Sequence, residues 1–192
     1  MRSNILLQSQ RQTMHNTNDD QNKQNQKSTM KILFIQTGGT IDKDYPHTTK
    51  GWAFVIDEPA FGRILEKLNP SFDYQVLSAM KKDSLEISDQ DRADLQKLIQ
   101  DQDADKIIIT HGTDTMPETA AALASFGDTK TIVITGAMRP ERFSNSDADL
   151  NLGMAIATVQ TAQPGVYICM HGLVIPHDKI DRNMETGQYR SK

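Results

Sequence analysis

Five β-like apolar runs alternate with four helical segments between Lys31 and Met170, and this alternation restricts what the chain can fold into. Strands that alternate with helices pair in parallel, because each helix carries the chain back across the sheet. The runs are Lys31 to Gln36, Tyr74 to Met80, Lys106 to Thr110, Thr131 to Thr135 and Gly165 to Met170. Phe61, Ile64, Leu65 and Leu68 keep helical spacing, with Asp57 read as the N-cap, Pro59 in the first turn and Asn69-Pro70 as the stop. Ser88 is expected to cap a second helix with Leu95, Leu98 and Ile99 inside. Thr115-Met-Pro-Glu118 reads as a capping box opening a third helix through Phe126. Ser146-Asp-Ala-Asp149 opens a fourth, with Leu152, Ala155, Ile156 and Val159 facing inward. The last twenty residues read as irregular or as a short hairpin. The predicted class is α/β: a doubly wound, Rossmann- or flavodoxin-like, mainly parallel sheet of about five strands with helices on both faces.

Charge and composition divide the chain. The first 29 residues are rich in Gln and Asn, carry Arg2, Arg11, Lys23 and Lys27 against Asp19 and Asp20, and read as a disordered tail. Met30 stands directly before the first strand as an alternative start, which an intact-mass measurement would test. Since the tail is net positive and the whole chain carries −4, residues 30–192 form a mildly acidic domain. Such a domain lacks the clustered Lys and Arg that nucleic-acid backbones require. No stretch is long and apolar enough to span a membrane, and Ile5-Leu6-Leu7 is too short for a signal-peptide core. Cys169 is the only cysteine, so no internal disulfide forms, and the expected location is cytoplasmic.

Ligands of open α/β sheets bind beyond the carboxyl ends of the strands. There the chain places Thr37-Gly38-Gly39-Thr40 after the first strand and His111-Gly112-Thr113-Asp114 after the third. Gly136-Ala137-Met138-Arg139 follows the fourth and His171-Gly172 the fifth. A single glycine after a strand is ordinary turn chemistry. Two threonine-bearing glycine loops in one sheet point instead to a site. Neither phosphate-loop pattern is present, and the histidines lack metal-ligand spacing, so no cofactor or metal is expected.

Thr37-Gly-Gly-Thr40-Ile41, His111-Gly-Thr113-Asp114-Thr115-Met116 and Thr135-Gly-Ala137-Met138-Arg139-Pro140, followed by Ser146 to Gly153, together resemble the bacterial-type asparaginase family across residues 31–190. The resemblance implies hydrolysis of the side-chain amide of asparagine, or of a related small amide, through threonine hydroxyls. It makes Thr40 the nucleophile, Thr113 the second catalytic hydroxyl, and Asp114 the group that binds a substrate ammonium. A threonine hydroxyl needs a proton acceptor nearby. Amides near Gly39 and Thr113 would stabilise the oxyanion. Ser84 would hold the substrate carboxylate, and Gly39, Gly112 and Ala137 would make backbone contacts.

The chain departs from the family pattern in three places. Arg182 occupies the slot of the family's relay lysine, with Lys179 three residues earlier; arginine can anchor Asp114 but does not readily pass a proton. Tyr45 is the one tyrosine in the loop after Thr40, but lies nearer to it than in the family. Leu85 replaces a polar residue beside Ser84. Longer family members carry a second domain that completes a neighbour's site, so the resemblance implies a short, single-domain branch whose site is open or completed by another surface. It also implies a homodimer or higher homo-oligomer. The alternative is a non-catalytic amino-acid-binding module of the same fold, and a flavodoxin-like cofactor binder rests on fold analogy alone.

Overall fold

The computed structural model describes residues 30–183 and 185–192; the tail read over residues 1–29 lies outside them. Residues Lys31–Lys192 form one compact unit. Its centre is a six-stranded sheet: β1 (Lys31–Gly38), β2 (Asp73–Lys82), β3 (Lys106–Thr110), β4 (Thr131–Thr135), β5 (Gly165–Met170) and β6 (Leu173–Pro176). The strand order is β2-β1-β3-β4-β5-β6. The first five are parallel and β6 is antiparallel to β5.

Strand alternation divides the core between two faces. Leu33, Ile35, Ile107, Ile109, Ile132, Ile134, Val166 and Ile168 join Leu95 and Ile99 of α2 (Asp89–Gln100) and Met116 and Ala120 of α3 (Met116–Ala122) in one buried cluster. On the opposite face Phe34 meets Phe61 of α1 (Ala60–Leu68), with ring centroids 5.5 Å apart. That face is closed by α4 (Ala148–Thr161), whose Leu152, Ala155 and Val159 are fully buried.

Several expectations are corrected. The sheet has a sixth strand, because His171 and Gly172 both take positive φ (54° and 78°) and make a two-residue hairpin turn that returns Leu173–Pro176 along β5. The remaining tail does form a hairpin, Ile180–Arg182 with Tyr189–Ser191. Asp57 does not cap α1: Pro59 sits at the cap position, and the Ala60 amide instead donates to Asp42 Oδ1 at 2.7 Å. Thr115 stands at the cap of α3 but its hydroxyl donates to Ser84 C=O, at 2.8 Å, so no capping box forms. The α-helix stops at Ala122, and Ala124–Phe126 continues as a 3-10 turn. Leu68, expected inside, is half exposed at the end of α1. Ser88 does cap α2, in a reciprocal box with Asp91.

Candidate active site

The chain leaves β1 for β2 at the sheet edge and returns on the other side of β1 to form β3, so the connections after β1 and β3 diverge from a topological switch point. The two threonine-glycine loops stand there. Thr37 Oγ1 donates to Thr110 C=O at 2.8 Å and ties the strand ends together. Gly39 has φ 85°, and a Cβ there would collide with the Cα and N of Gly112. A Cβ on Gly112 would in turn lie 2.7 Å from Ser84 Oγ. The first two loops therefore touch through backbone, and the Ser84 side chain packs against the bare Gly112 backbone, where no further side chain fits.

Thr40 opens a single 3-10 turn, Thr40–Asp42, and is half-buried. Thr113 is 8% exposed, and its carbonyl accepts from the phenol of Tyr189. The neighbouring Asp114 is partly exposed, with its amide donating to Ser84 Oγ at 3.2 Å and its carboxylate paired with Arg182 at 2.9 Å. Ser84 is buried and links two loops through its hydroxyl and carbonyl, while Leu85 beside it is exposed. Ala137 is buried directly after β4.

Several supporting residues were not expected. His111 is fully buried; its Nδ1–H donates to Gly112 C=O at 2.7 Å and its Nε2 accepts from Thr119 Oγ1 at 2.8 Å. Burial holds its imidazole down at about 4, so the ring is neutral and its tautomer is fixed by these partners. Asp147 accepts from the amides of Met138 and Arg139, and Asn151 donates to Gly136 C=O and to Asp147, which braces the loop carrying Ala137. Asp147 and Asn151 fall inside a recognised motif, but Tyr189 reaches Thr113 from 76 residues away and leaves no local sequence signal.

The candidates for proton relay separate. Arg182 reaches Asp114; its Nε donates to Gly187 C=O at 3.4 Å and its guanidinium stands 5.8 Å from the Tyr189 ring centre. Lys179 is exposed on the 3-10 turn before that hairpin, where its carbonyl accepts from the Lys192 amide. Tyr45 packs into an exposed aromatic group, 4.8 Å from Phe54 and 5.9 Å from Trp52. The Gly39 amide, one of the expected oxyanion donors, is committed to Lys82 C=O at 2.9 Å. Among the described residues no cluster of His, Cys, Asp or Glu could hold a metal ion, and no helix is long and apolar enough to cross a membrane.

A family model for the N-terminal domain of asparaginase matches residues 31–187. The chain belongs to the asparaginase family. Among its relatives, the glutaminase-asparaginase of Acinetobacter glutaminasificans is 28% identical over 151 residues, covering 73% of this chain and 46% of the other. A subunit of the glutamyl-tRNA(Gln) amidotransferase of Methanococcus maripaludis is 32% identical over 146 residues, covering 73% and 35%. The solved L-asparaginase of Thermococcus kodakarensis superposes with a TM-score of 0.72 at 25% identity, over 84% of this chain and 51% of that one. This asparaginase-family chain thus spans about half, or less, of the relatives it matches.

Proposed function

We propose that the protein is an amidohydrolase that releases ammonia from the side-chain amide of asparagine or of a related small amide. The observation that carries this is the backbone packing of Gly39 against Gly112, which sets the turn bearing Thr40 beside the loop bearing Thr113 and Asp114. In this reading the Thr40 hydroxyl attacks the amide carbon, its proton passes by way of Thr113 to the amide nitrogen, the C–N bond breaks to release ammonia, and water then hydrolyses the acyl ester on Thr40. Asp114, held by Arg182, receives the substrate's ammonium on its outer side. With the Gly39 amide committed, the oxyanion falls to the amides of Thr40 and Thr113. Ser84 Oγ accepts from Asp114 and keeps its own proton for a substrate carboxylate. Gly112 and Ala137 supply backbone contacts. Tyr45 and Lys179 stay outside the reaction.

The test is ammonia release over a panel of small amides. Turnover of at least one amide, abolished by Thr40→Ala and by Thr113→Ala, is the expected result; turnover unchanged in both variants would sink the mechanism. The second reading, a binding module without turnover, is favoured by one observation: Arg182, a group that does not readily pass a proton, is already paired with Asp114. Calorimetric binding of aspartate or asparagine without ammonia release would establish it. We also infer a cytoplasmic location and assembly with further copies of itself. Support for the location comes from the fold shared with the probable cytoplasmic L-asparaginase of Campylobacter jejuni, at 26% identity and TM-score 0.63 over 80% of this chain and 48% of the other. Assembly rests on family resemblance.

A further inference from the structure

Asp42 lies two residues beyond Thr40, and its side chain is fully buried. Its carboxylate has a donor on each oxygen. The Ala60 amide, at the start of α1, donates to Oδ1 at 2.7 Å, and Gln36 Nε2, from β1, donates to Oδ2 at 3.2 Å. The Asp42 backbone is fastened as well, with its amide on Gly39 C=O at 3.2 Å and its carbonyl receiving the Asp57 amide at 3.1 Å. Gln36 is itself fixed, since its Nε2 also donates to Asp57 C=O at 2.8 Å and its Oε1 accepts from Ser78 Oγ at 2.7 Å. The turn that carries Thr40 is held by backbone bonds, among them the Glu141 amide on Ile41 C=O at 3.1 Å, and by one buried acidic side chain that ties it to β1 and to the start of α1.

The location of this charge is informative. A carboxylate at a helix N-terminus satisfies an otherwise unpaired amide and complements the helix dipole. Pro59, at the cap of α1, has no side-chain acceptor, so Asp42 fills that role from 18 residues away. A buried carboxylate is costly where a neutral group would also fit, and this one lies two residues from Thr40.

We propose that Asp42 is a positioning residue for Thr40: it pins the nucleophile's turn to β1 and to the N-terminus of α1, and it does so most firmly while ionised. This rests on the hydrolase reading above for its effect on rate, and on the hydrogen bonds alone for its effect on structure. With a donor already aimed at each oxygen, an added proton occupies a remaining lone-pair site, turns a charged acceptor into a neutral one and weakens the tie on that oxygen. Burial pushes the carboxyl up to about 6, against the lowering effects of the Ala60 and Gln36 hydrogen bonds and of the Arg63 and Lys81 charges. Those two cations are engaged elsewhere, Arg63 with Glu141 at 2.6 Å and Lys81 with Glu58 at 3.2 Å. Protonation of Asp42 therefore falls within reach of a mildly acidic medium.

The experiment compares wild type with Asp42→Asn in two measurements. In the first, kcat and KM for the best amide are followed from pH 4.5 to 8. The wild type should lose kcat on the acid side with a midpoint near 6. The variant should show kcat lower on the order of 10–100-fold, KM little changed, and no acid limb. A variant that keeps both the wild-type kcat and its acid limb overturns the proposal. In the second, amide NMR signals of Thr40, Ile41 and Ala60 are titrated without substrate. A shared transition near pH 6 in the wild type, absent from Asp42→Asn, supports the coupling. Thr40 and Ile41 signals that ignore that transition overturn it. If wild type hydrolyses no amide, the hydrolase reading falls while the NMR titration still decides the coupling. If the variant does not fold, the wild-type titration decides alone.

Discussion

Arg182 and Asp114 form a 2.9 Å ion pair in which the cation is nearly enclosed and the anion is partly open to solvent. The guanidinium is fixed by Gly187 and the Tyr189 ring, so the carboxylate beside Thr113 is held from one side and free on the other. Replacing Arg182 by lysine would keep the charge and introduce a group able to exchange a proton. We expect Arg182→Lys to raise kcat for any amide the wild type turns over and Arg182→Ala to lower it. Steady-state ammonia release measures both. A pair with a partly exposed member contributes about 1 kcal/mol or less, so melting temperatures should differ little.

Gly39 and Gly112 leave no space for a side chain between them. Gly39→Ala adds a Cβ where φ is 85° and the Gly112 backbone is in the way. Left-handed strain and overpacking together should cost about 2–4 kcal/mol. Urea unfolding measures the loss, and ammonia release should fall with it, because the Thr40 turn must move away from Thr113.

The Tyr189 phenol is nearly buried and donates to Thr113 C=O. Burial also pushes its titration upward, so it stays a donor throughout the working pH range. Tyr189→Phe leaves that carbonyl without the phenol's hydrogen bond at a cost of about 1–2 kcal/mol. The expected kinetic sign is a fall in kcat with an unchanged acid midpoint, which separates this contact from the one made by Asp42.

The pH dependence of stability follows from Asp42 with a definite sign. Its folded value, about 6, lies above the ordinary 3.8, so the folded state holds the proton more tightly than the unfolded one. The stability that wild type gains from this group is therefore full below pH 3.8 and is lost as pH rises through 6. The unfolding free energy of wild type minus that of Asp42→Asn should fall by about 3 kcal/mol between pH 3.5 and 7. Denaturant curves across that range check it, and a flat difference would show that Asp42 titrates normally.

Much of the sheet was legible because the inner strands β1, β3 and β4 carry unbroken apolar runs, such as Ile107-Ile108-Ile109, buried on both faces. β6 was missed because Leu173-Val-Ile-Pro is short, half exposed and ends in proline. Its pairing depends on the backbone of His171, whose positive φ is unusual for a non-glycine residue. The threonines and Asp114 were legible as motif residues, since their spacing is local. The anchoring of Asp114 by Arg182 was also legible, from the slot Arg182 occupies. Two other supports were not: Tyr189 reaches Thr113 across 76 residues and Asp42 reaches Ala60 across 18. The misplaced cap of α1 has the same origin. Local reading favoured Asp57, three residues ahead of Ala60, over a carboxylate that only the fold brings near.

The contact between Gly39 and Gly112 also bears on how such a site can diversify. Neither residue can be made smaller to accommodate growth in the other, so the two loops can change only in concert. Sequence change is freer in segments with open space: the aromatic group around Tyr45 and Trp52, the exposed Leu85, and the surface around Met138 and Phe143. The pair of glycines is a fixed point between the two loops, around which the rest of the sheet edge can vary.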